Sequence, residues 1–476
     1  MNLNKQHSQS SAAIIYVIVS LFLALTQVII LPFVTDLLTA EQFGVYALAT
    51  TIFGVIVVVA QLGMPNAYVV EFYKNKTERV QLLNEISGIY LFSIITIWIL
   101  SFIAYTFDFC SFSKLPISFL VWILFASSFE IFFELFRITL RLERKALAYA
   151  IYILARFILA NASFVIFLYM GLGAGELKFI TMAAFTFGAL TIYVFSNKLS
   201  APNLALSNLK KKLFKFTLPI YPGLVLKVFL VSIDHFIVLY FLNLKALAIY
   251  ALAVQLTWPI NRFSASILDA FAPNIYETLA SDGNQKSRYF FKQLAFFLIL
   301  LNIICIPLII LPEIYVDMLV SSNNKHEILT IFLVIVVGRF FESLAPFFEI
   351  YFYHFQKTRI IGILSVLFLG ILIILQAILI PLYGLPGAAY GYALARLIYI
   401  IILTLFIKKD FFKYSLRFLM LTSIIFLFIT ITYFSPNPII RLSLVLVSLF
   451  FGYFFFKKEL AEVFKKINIF SSKLKK

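Results

Sequence analysis

IIGILSVLFLGILIILQAILI, residues 360–380, contains no ionisable side chain in 21 consecutive positions. A helix crossing a hydrocarbon core of about 30 Å needs roughly 20 mostly apolar residues, and lipid admits only helices or closed barrels because every backbone polar group must be satisfied within the chain. A run this long predicts a membrane-spanning helix and excludes a barrel strand. Runs of the same kind extend in both directions, and the fourteen predicted spans lie at about 13–35, 43–64, 87–107, 117–136, 148–170, 178–197, 218–241, 247–270, 293–312, 328–350, 360–380, 386–407, 418–434 and 441–456. The expected fold class is all-α and polytopic.

An even number of spans returns the C-terminus to the side of the N-terminus. The N-terminal tail, the connections after spans two, four, six, eight, ten and twelve, and the C-terminal tail together carry 29 of the 39 Lys and Arg. The other seven connections carry only Lys114, Lys178, Lys245, Lys325 and Arg441. Because basic residues are retained on the inner face, both termini are expected to be cytoplasmic. The apolar run after Met1–Ser11 is too long for a signal peptide and lacks a small-residue cleavage site, so it reads as a retained first span.

Composition agrees: 62% hydrophobic and 13% charged residues could not cover a soluble surface. Most of the net charge of +17 sits in the inner loops and in Lys457, Lys458, Lys465, Lys466, Lys473, Lys475 and Lys476, where it meets anionic headgroups of membrane lipids. No folded basic domain lies outside the spans, which argues against a nucleic-acid partner. Cys110 and Cys305 have no CxxC spacing and read as packing residues, neither a disulfide framework nor a metal site. GxxxxGK[ST], HExxH, paired CxxC and GxSxG are all missing from the sequence, so no cofactor and no enzyme activity are expected.

The outer loops are short, the longest at about 313–327, which leaves no room for an outer catalytic domain. The largest inner connection, 198–217, holds Pro202, Asn203, Lys210, Lys211, Lys212 and Lys215 and follows six spans. It is the expected boundary between an N-terminal lobe, 1–200 (helices 1–6), and a C-terminal lobe, 201–410 (helices 7–12), with helices 13–14 and a basic tail in 411–476. Phe43-Gly44-Val45-Tyr46-Ala47-Leu48-Ala49 and Leu247-Ala248-Ile249-Tyr250-Ala251-Leu252-Ala253 each open the second span of a half, either as an internal repeat or by chance in an apolar chain.

An ionisable residue in mid-membrane costs about 2.5–3.5 kcal/mol on insertion scales, so each is expected to face protein, water or a partner charge. Lys227 and Asp234 share a face of span seven, as do Gln255, Arg262 and Asp269 in span eight. Two turns separate neighbours, too far for simple pairs, which suggests a wet cavity. Arg339, Glu342 and Glu349 in span ten, and Glu130, Glu134, Arg137 and Arg141 in span four, have the closer spacing of intrahelical ion pairs. Arg156 and Arg396 are open to three readings: anion contact, snorkelling, or pairing with those acids. His235 beside Asp234 reads as a proton relay or as a packed polar pair. Pro32, Pro219, Pro222, Pro259, Pro307 and Pro346 fall within spans and are expected to kink them. Leu218-Pro219-Ile220-Tyr221-Pro222-Gly223 is either a broken opening suited to a gate or a helix that starts at Pro219.

Several segments resemble the polysaccharide or O-antigen flippases of the multidrug/oligosaccharidyl-lipid/polysaccharide (MOP) exporter superfamily. The similar stretches are Leu37-Leu38-Thr39-Ala40-Glu41-Gln42-Phe43-Gly44-Val45-Tyr46 after span one, Leu218-Pro219-Ile220-Tyr221-Pro222-Gly223 through Ser232-Ile233-Asp234-His235-Phe236-Ile237-Val238 in span seven, Ala272-Pro273-Asn274-Ile275-Tyr276-Glu277 after span eight, and Tyr383-Gly384-Leu385-Pro386-Gly387-Ala388-Ala389-Tyr390-Gly391 at the start of span twelve. They are individually loose but occur in order over nearly the whole chain.

The resemblance implies two six-helix lobes around a central cavity, as in MATE transporters, plus two trailing helices. It implies alternating access that moves an undecaprenyl-pyrophosphate-linked oligosaccharide, an O-antigen or capsule repeat unit, to the outer leaflet. Substrate contacts are expected at Lys227, Arg262, Arg339, Arg396 and Arg156, and coupling or gating at Asp234, His235, Asp269, Asp36, Pro219 and Pro222. Expected partners are the polyprenyl-linked glycan, membrane lipids, a coupling ion (proton or sodium) and glycan polymerase machinery. The rivals are a multidrug or cation antiporter, with Asp36 as coupling acid, a lipid-linked peptidoglycan precursor flippase, and a membrane glycan polymerase or ligase. The last generally needs a large outer loop that this chain lacks.

Overall fold

The computed structural model describes residues 3–74, 79–107, 115–197, 202–205, 207–280, 286–321, 325–355 and 357–407. Predicted spans thirteen and fourteen, the basic tail, Cys110 and Lys114 lie outside the described residues. The helices are, in order, α1 (Leu3–Leu37), α2 (Ala40–Ala60), α3 (Met64–Lys74), α4 (Arg79–Thr106), α5 (Ile117–Leu142), α6 (Ala146–Tyr169), α7 (Leu177–Asn197), α8 (Asn208–Thr217), α9 (Tyr221–Phe241), α10 (Leu244–Leu256), α11 (Trp258–Ala280), α12 (Lys286–Ile310), α13 (Pro312–Leu319), α14 (Lys325–His354), α15 (Thr358–Tyr383) and α16 (Leu385–Leu405).

On α4, Phe92, Ile95, Ile99, Phe102 and Ile103 recur at spacings of three, four and one and all point outward, Phe92 being 71% exposed. A water-facing helix would place polar residues there, so this stripe belongs against lipid. Among the described residues nine helices are long and apolar enough to cross a membrane: α2, α4, α5, α6, α7, α9, α14, α15 and α16. They coincide with predicted spans two to seven and ten to twelve. The protein is a multi-pass, all-helical membrane protein. α1 stands at the first predicted span with the apolar segment Leu25–Leu37, and α12 at the ninth with Lys292–Asn302.

The eighth predicted span departs from expectation, because α10 ends at Leu256 and α11 begins at Trp258. Pro259 has no N–H to continue a ladder but is well suited to the first turn of a new helix. The freed backbone is satisfied by protein. The Thr257 hydroxyl donates to the Val254 carbonyl at 2.7 Å, and the Leu256 carbonyl accepts from the Tyr315 hydroxyl at 3.0 Å. The expected stripe of Gln255, Arg262 and Asp269 is therefore not one continuous helical face. The start of span seven is also resolved: α8 ends at Thr217, a turn covers 218–220, and α9 opens at Tyr221 with Pro222 in its first turn.

The chain divides into two compact units, Met1–Ala251 with Val320–Ser322, and Leu252–Leu319 with Asn323–Lys476. In the first, α5 is central because it has two apolar faces. Ile131, Leu135 and Ile138 pack with Met64, Tyr68, Leu82, Ile86 and Tyr90 of α3 and α4. Phe133, Phe136 and Leu140 pack with Val19 of α1, Tyr149 and Ile153 of α6, and Tyr193 of α7. The Leu37–Tyr46 motif turns α1 into α2 through a reciprocal cap: Thr39 Oγ1 accepts the Gln42 N–H at 3.3 Å, and Gln42 Oε1 accepts the Thr39 N–H at 2.9 Å. Gly44 then lets the Leu244 carbonyl approach to where a Cβ would stand only 2.2 Å from it.

In the second unit α14 is the core helix, with 78% of its most apolar window buried, and α16 packs against both α14 and α15. The Tyr383–Gly391 motif makes that packing possible. Gly384 adopts φ +65° to end one helix and begin the next, Pro386 sits in the first turn, and Gly387 brings α16 against α15. A Cβ at Gly387 would lie 2.0 Å from the Leu379 carbonyl oxygen, which is backbone and has little room to move. Gly387→Ala is expected to cost about 1–3 kcal/mol, read as a lowered thermal midpoint in detergent, whereas Gly370→Ala, where a Cβ meets open space, should be nearly silent.

Candidate transport site

α2 ends in the turn Gln61-Leu62-Gly63, where two successive residues take positive φ, +48° at Leu62 and +71° at Gly63. Gly tolerates this conformation freely, and Leu holds it at a cost of about 1–2 kcal/mol. The turn redirects the chain into α3. Opposite it, the Tyr221 hydroxyl of α9 donates to the Val59 carbonyl at 3.0 Å, tying the start of α9 to the last turn of α2.

Between α9 and this elbow lies a cavity of about 220 Å³, bordered by Val58, Gln61, Asn66, Leu224, Lys227 and Val228. Lys227, two turns into a membrane-crossing helix, is exposed and has no paired carboxylate among the described residues. The site offers an ammonium and two carboxamides, set in an apolar frame that excludes competing acids. At about 30 Å³ per water, the space holds about seven waters or one phosphate with part of its shell. Gln61 and Asn66 carry no periodic signal. Gly63, inside the predicted second span, is the sequence signal that could have marked a turn there.

The other predicted site residues fall into three groups. Asp234 is buried: its Oδ2 accepts from the Tyr250 hydroxyl at 2.9 Å, and its Oδ1 lies 2.9 Å from His235 Nδ1. The His235 ring meets Tyr250 edge-on at 5.6 Å, so α9 and α10 are joined by a packed polar cluster. Tyr250, in the segment Leu247–Ala253, was not among the expected coupling residues. Asp36 is exposed near the end of α1, Pro219 and Pro222 are exposed, and Arg262 is an exposed residue of α11 in the second unit. The Asp269 side chain lies outside the described residues.

The three remaining arginines sit in ion pairs. Arg156 of α6 holds Glu130 of α5 through both terminal nitrogens, at 3.2 and 2.5 Å, with its guanidinium 4.3 Å above the Phe133 ring. Nearby, Lys178 of α7 donates to Asn161 of α6. In the second unit Glu342 of α14 accepts from Arg339 at 2.5 Å, from Arg396 of α16 at 3.2 Å and from the Tyr392 hydroxyl at 2.5 Å. Arg339 Nε also donates to Thr257 Oγ1 at 3.2 Å, so this node reaches the break between α10 and α11. The intrahelical pair Arg137–Glu134 forms as its spacing suggested, at 2.5 Å. No group of three or more His, Cys, Asp or Glu suited to a metal ion occurs among the described residues.

A family profile described as polysaccharide biosynthesis protein matches residues 33–328. The chain belongs to this family. No curated protein sequence matches it significantly. Among solved structures, a lipid II flippase MurJ in an inward closed conformation is similar at TM-score 0.63 and 19% identity, covering 95% of this chain and 99% of that one. An inward-facing multidrug resistance MATE family transporter of the MOP superfamily gives 0.58 at 12% identity, over 86% and 99%. The MATE multidrug transporter DinF-BH gives 0.55 at 18% identity, over 85% and 96%. Identities this low establish the fold alone. This polysaccharide biosynthesis protein thus shares the fold of the MurJ flippase and the MATE transporters.

Proposed function

We propose that the chain moves an undecaprenyl-pyrophosphate-linked oligosaccharide, an O-antigen or capsule repeat unit, from the inner to the outer leaflet of the bacterial cytoplasmic membrane by alternating access, without catalysing a reaction. The observation that carries this reading is Lys227, an ammonium within a membrane-crossing helix, bordering a cavity that contains carboxamides and no acid. Such a group serves an anion brought in from outside the protein, and a diphosphate linker suits it: Lys supplies a compact charge, and the amides donate to phosphate oxygens.

In this reading residues 1–200 and 201–410 act as the two moving lobes, both termini are cytoplasmic, and Arg262 is a further substrate contact. Arg156, Arg339 and Arg396 would contact substrate only by exchanging a carboxylate for phosphate. Asp234 with His235 is the proposed coupling centre for a proton or sodium ion, Asp36 and Asp269 assist it, and Pro219 and Pro222 let α9 bend. The released glycan passes to the polymerase machinery.

The test is rescue of a bacterial strain lacking its O-antigen flippase. Restored surface glycan is the expected result. Drug resistance without glycan would replace the reading by an antiporter, and rescue of a strain depleted of its lipid II flippase would replace it by peptidoglycan precursor transport.

A further inference from the structure

We propose that α8 is a docking strip for anionic phospholipid headgroups, held in position by a buried clasp. The helix reads NLKKKLFKFT, and Lys210, Leu213 and Thr217 are its buried face. Leu213 joins the apolar core of α3, α4 and α5. Lys210 points inward: its ammonium donates to the Asn203 and Ala205 carbonyls at 2.5 and 2.8 Å and stands 3.7 Å from Glu85, which is 2% exposed. Asn203 closes the ring by donating its amide to Glu85 at 2.8 Å and its N–H to the Asn84 carbonyl at 3.1 Å. Gly88 makes room for this, since a Cβ there would stand 1.8 Å from the Asn203 oxygen. Ser207 caps the first turn by accepting the Lys210 N–H at 3.1 Å.

A buried ion pair adds little net stability, but its geometry is specific, and here it fixes which way the helix faces. With positions 210, 213 and 217 turned inward, the helical period puts Lys211, Lys212 and Lys215 on the opposite arc, all exposed, with half-exposed Phe214 and Phe216 flanking them. Lys212 reaches Glu71 at 2.8 Å, whereas Lys211 and Lys215 have no acid partner among the described residues. These two lie one turn apart, about 6 Å along the axis, a spacing that two neighbouring headgroups can match.

The level of the strip is set by its surroundings. α8 packs on α3 and α4 and runs through 218–220 into α9, while Glu85 and Gly88 lie in the first turns of α4, whose membrane-crossing part starts at Val80. Lysines at the border of the apolar zone, flanked by Phe side chains, match phosphate above and acyl chain below. Charge complementarity and this level together select an anionic phospholipid.

The test uses full-length protein with Cys110 and Cys305 replaced by Ala and a fluorophore on Leu218→Cys, reconstituted in nanodiscs containing brominated phosphatidylglycerol or brominated phosphatidylcholine at equal fractions. Phosphatidylglycerol should quench preferentially, and the preference should fall about fivefold for each of Lys211→Gln and Lys215→Gln and about thirtyfold in the double variant. Both substitutions are on the exposed face and leave the clasp intact. Equal quenching by the two lipids, or a preference that the double variant retains, would overturn the proposal. So would a preference erased by a few per cent of a polyprenyl diphosphate lipid, which would assign the strip to the carrier instead. Glycan transport is not part of the readout, so the proposal stands or falls apart from the transport function.

Discussion

Lys227→Ala is expected to lower glycan display about 10- to 100-fold in a flippase-deficient strain while leaving membrane insertion unchanged. The magnitude follows from removing one charge-assisted hydrogen bond to phosphate, about 1.5–3 kcal/mol, where every 1.4 kcal/mol is tenfold. The side chain is exposed to its cavity and makes no ion pair among the described residues, so its loss breaks nothing that holds the helices together. Lys227→Arg should recover a large part of the activity, because a guanidinium also binds phosphate. Wild-type display in Lys227→Ala, at matched protein levels, would remove this cavity from the mechanism. Arg262→Ala belongs in the same assay as the corresponding test in α11.

Glu342→Ala should act oppositely, on stability before transport. Glu342 is the common acceptor of Arg339, Arg396 and Tyr392, and both arginine side chains are less than a tenth exposed. Removing the carboxylate leaves two buried guanidiniums across a vacated position, and deleting one partner of a buried ion pair costs about 3–5 kcal/mol. The expected readout is a strongly lowered thermal midpoint and poor recovery from detergent. Glu342→Gln should be intermediate, since it keeps the volume and an acceptor for Tyr392. A loss under about 1 kcal/mol for Glu342→Ala would show that the node does not hold α14 to α16.

These two residues mark how far the sequence can be read. That Lys227 has no partner on its own helix was legible: no acid occurs within a turn of it, so local pairing could be excluded from spacing. Arg137–Glu134 was legible for the converse reason, since partners three apart on a helix meet whatever the tertiary fold. Arg156–Glu130 and Arg396–Glu342 were legible only as one of three open readings. Their partners are 26 and 54 residues apart, and which helices become neighbours is settled only by packing. The break at Thr257 lay between these cases. Pro259 announced a disturbance, but kink and full interruption differ by whether other groups satisfy the freed carbonyls, and Tyr315 and Thr257 do so here.

The buried clasp at Lys210 was invisible for a further reason. In sequence it is one of five lysines in the inner connection 198–217, and the positive-inside pattern treats them alike. Only the fold divides them, sending one into the protein beside Glu85 and leaving others outside.

The amino-acid sequence by itself determined the solvent and the secondary structure of this protein, because about 20 apolar residues in lipid have no stable backbone arrangement other than a helix. Beyond local pairs such as Arg137–Glu134, only the tertiary structure decided which of its charged residues are neutralised and which border open space. That choice depends on contacts between distant helices, and a helical period specifies the face a residue occupies but not the side chain that will meet it there.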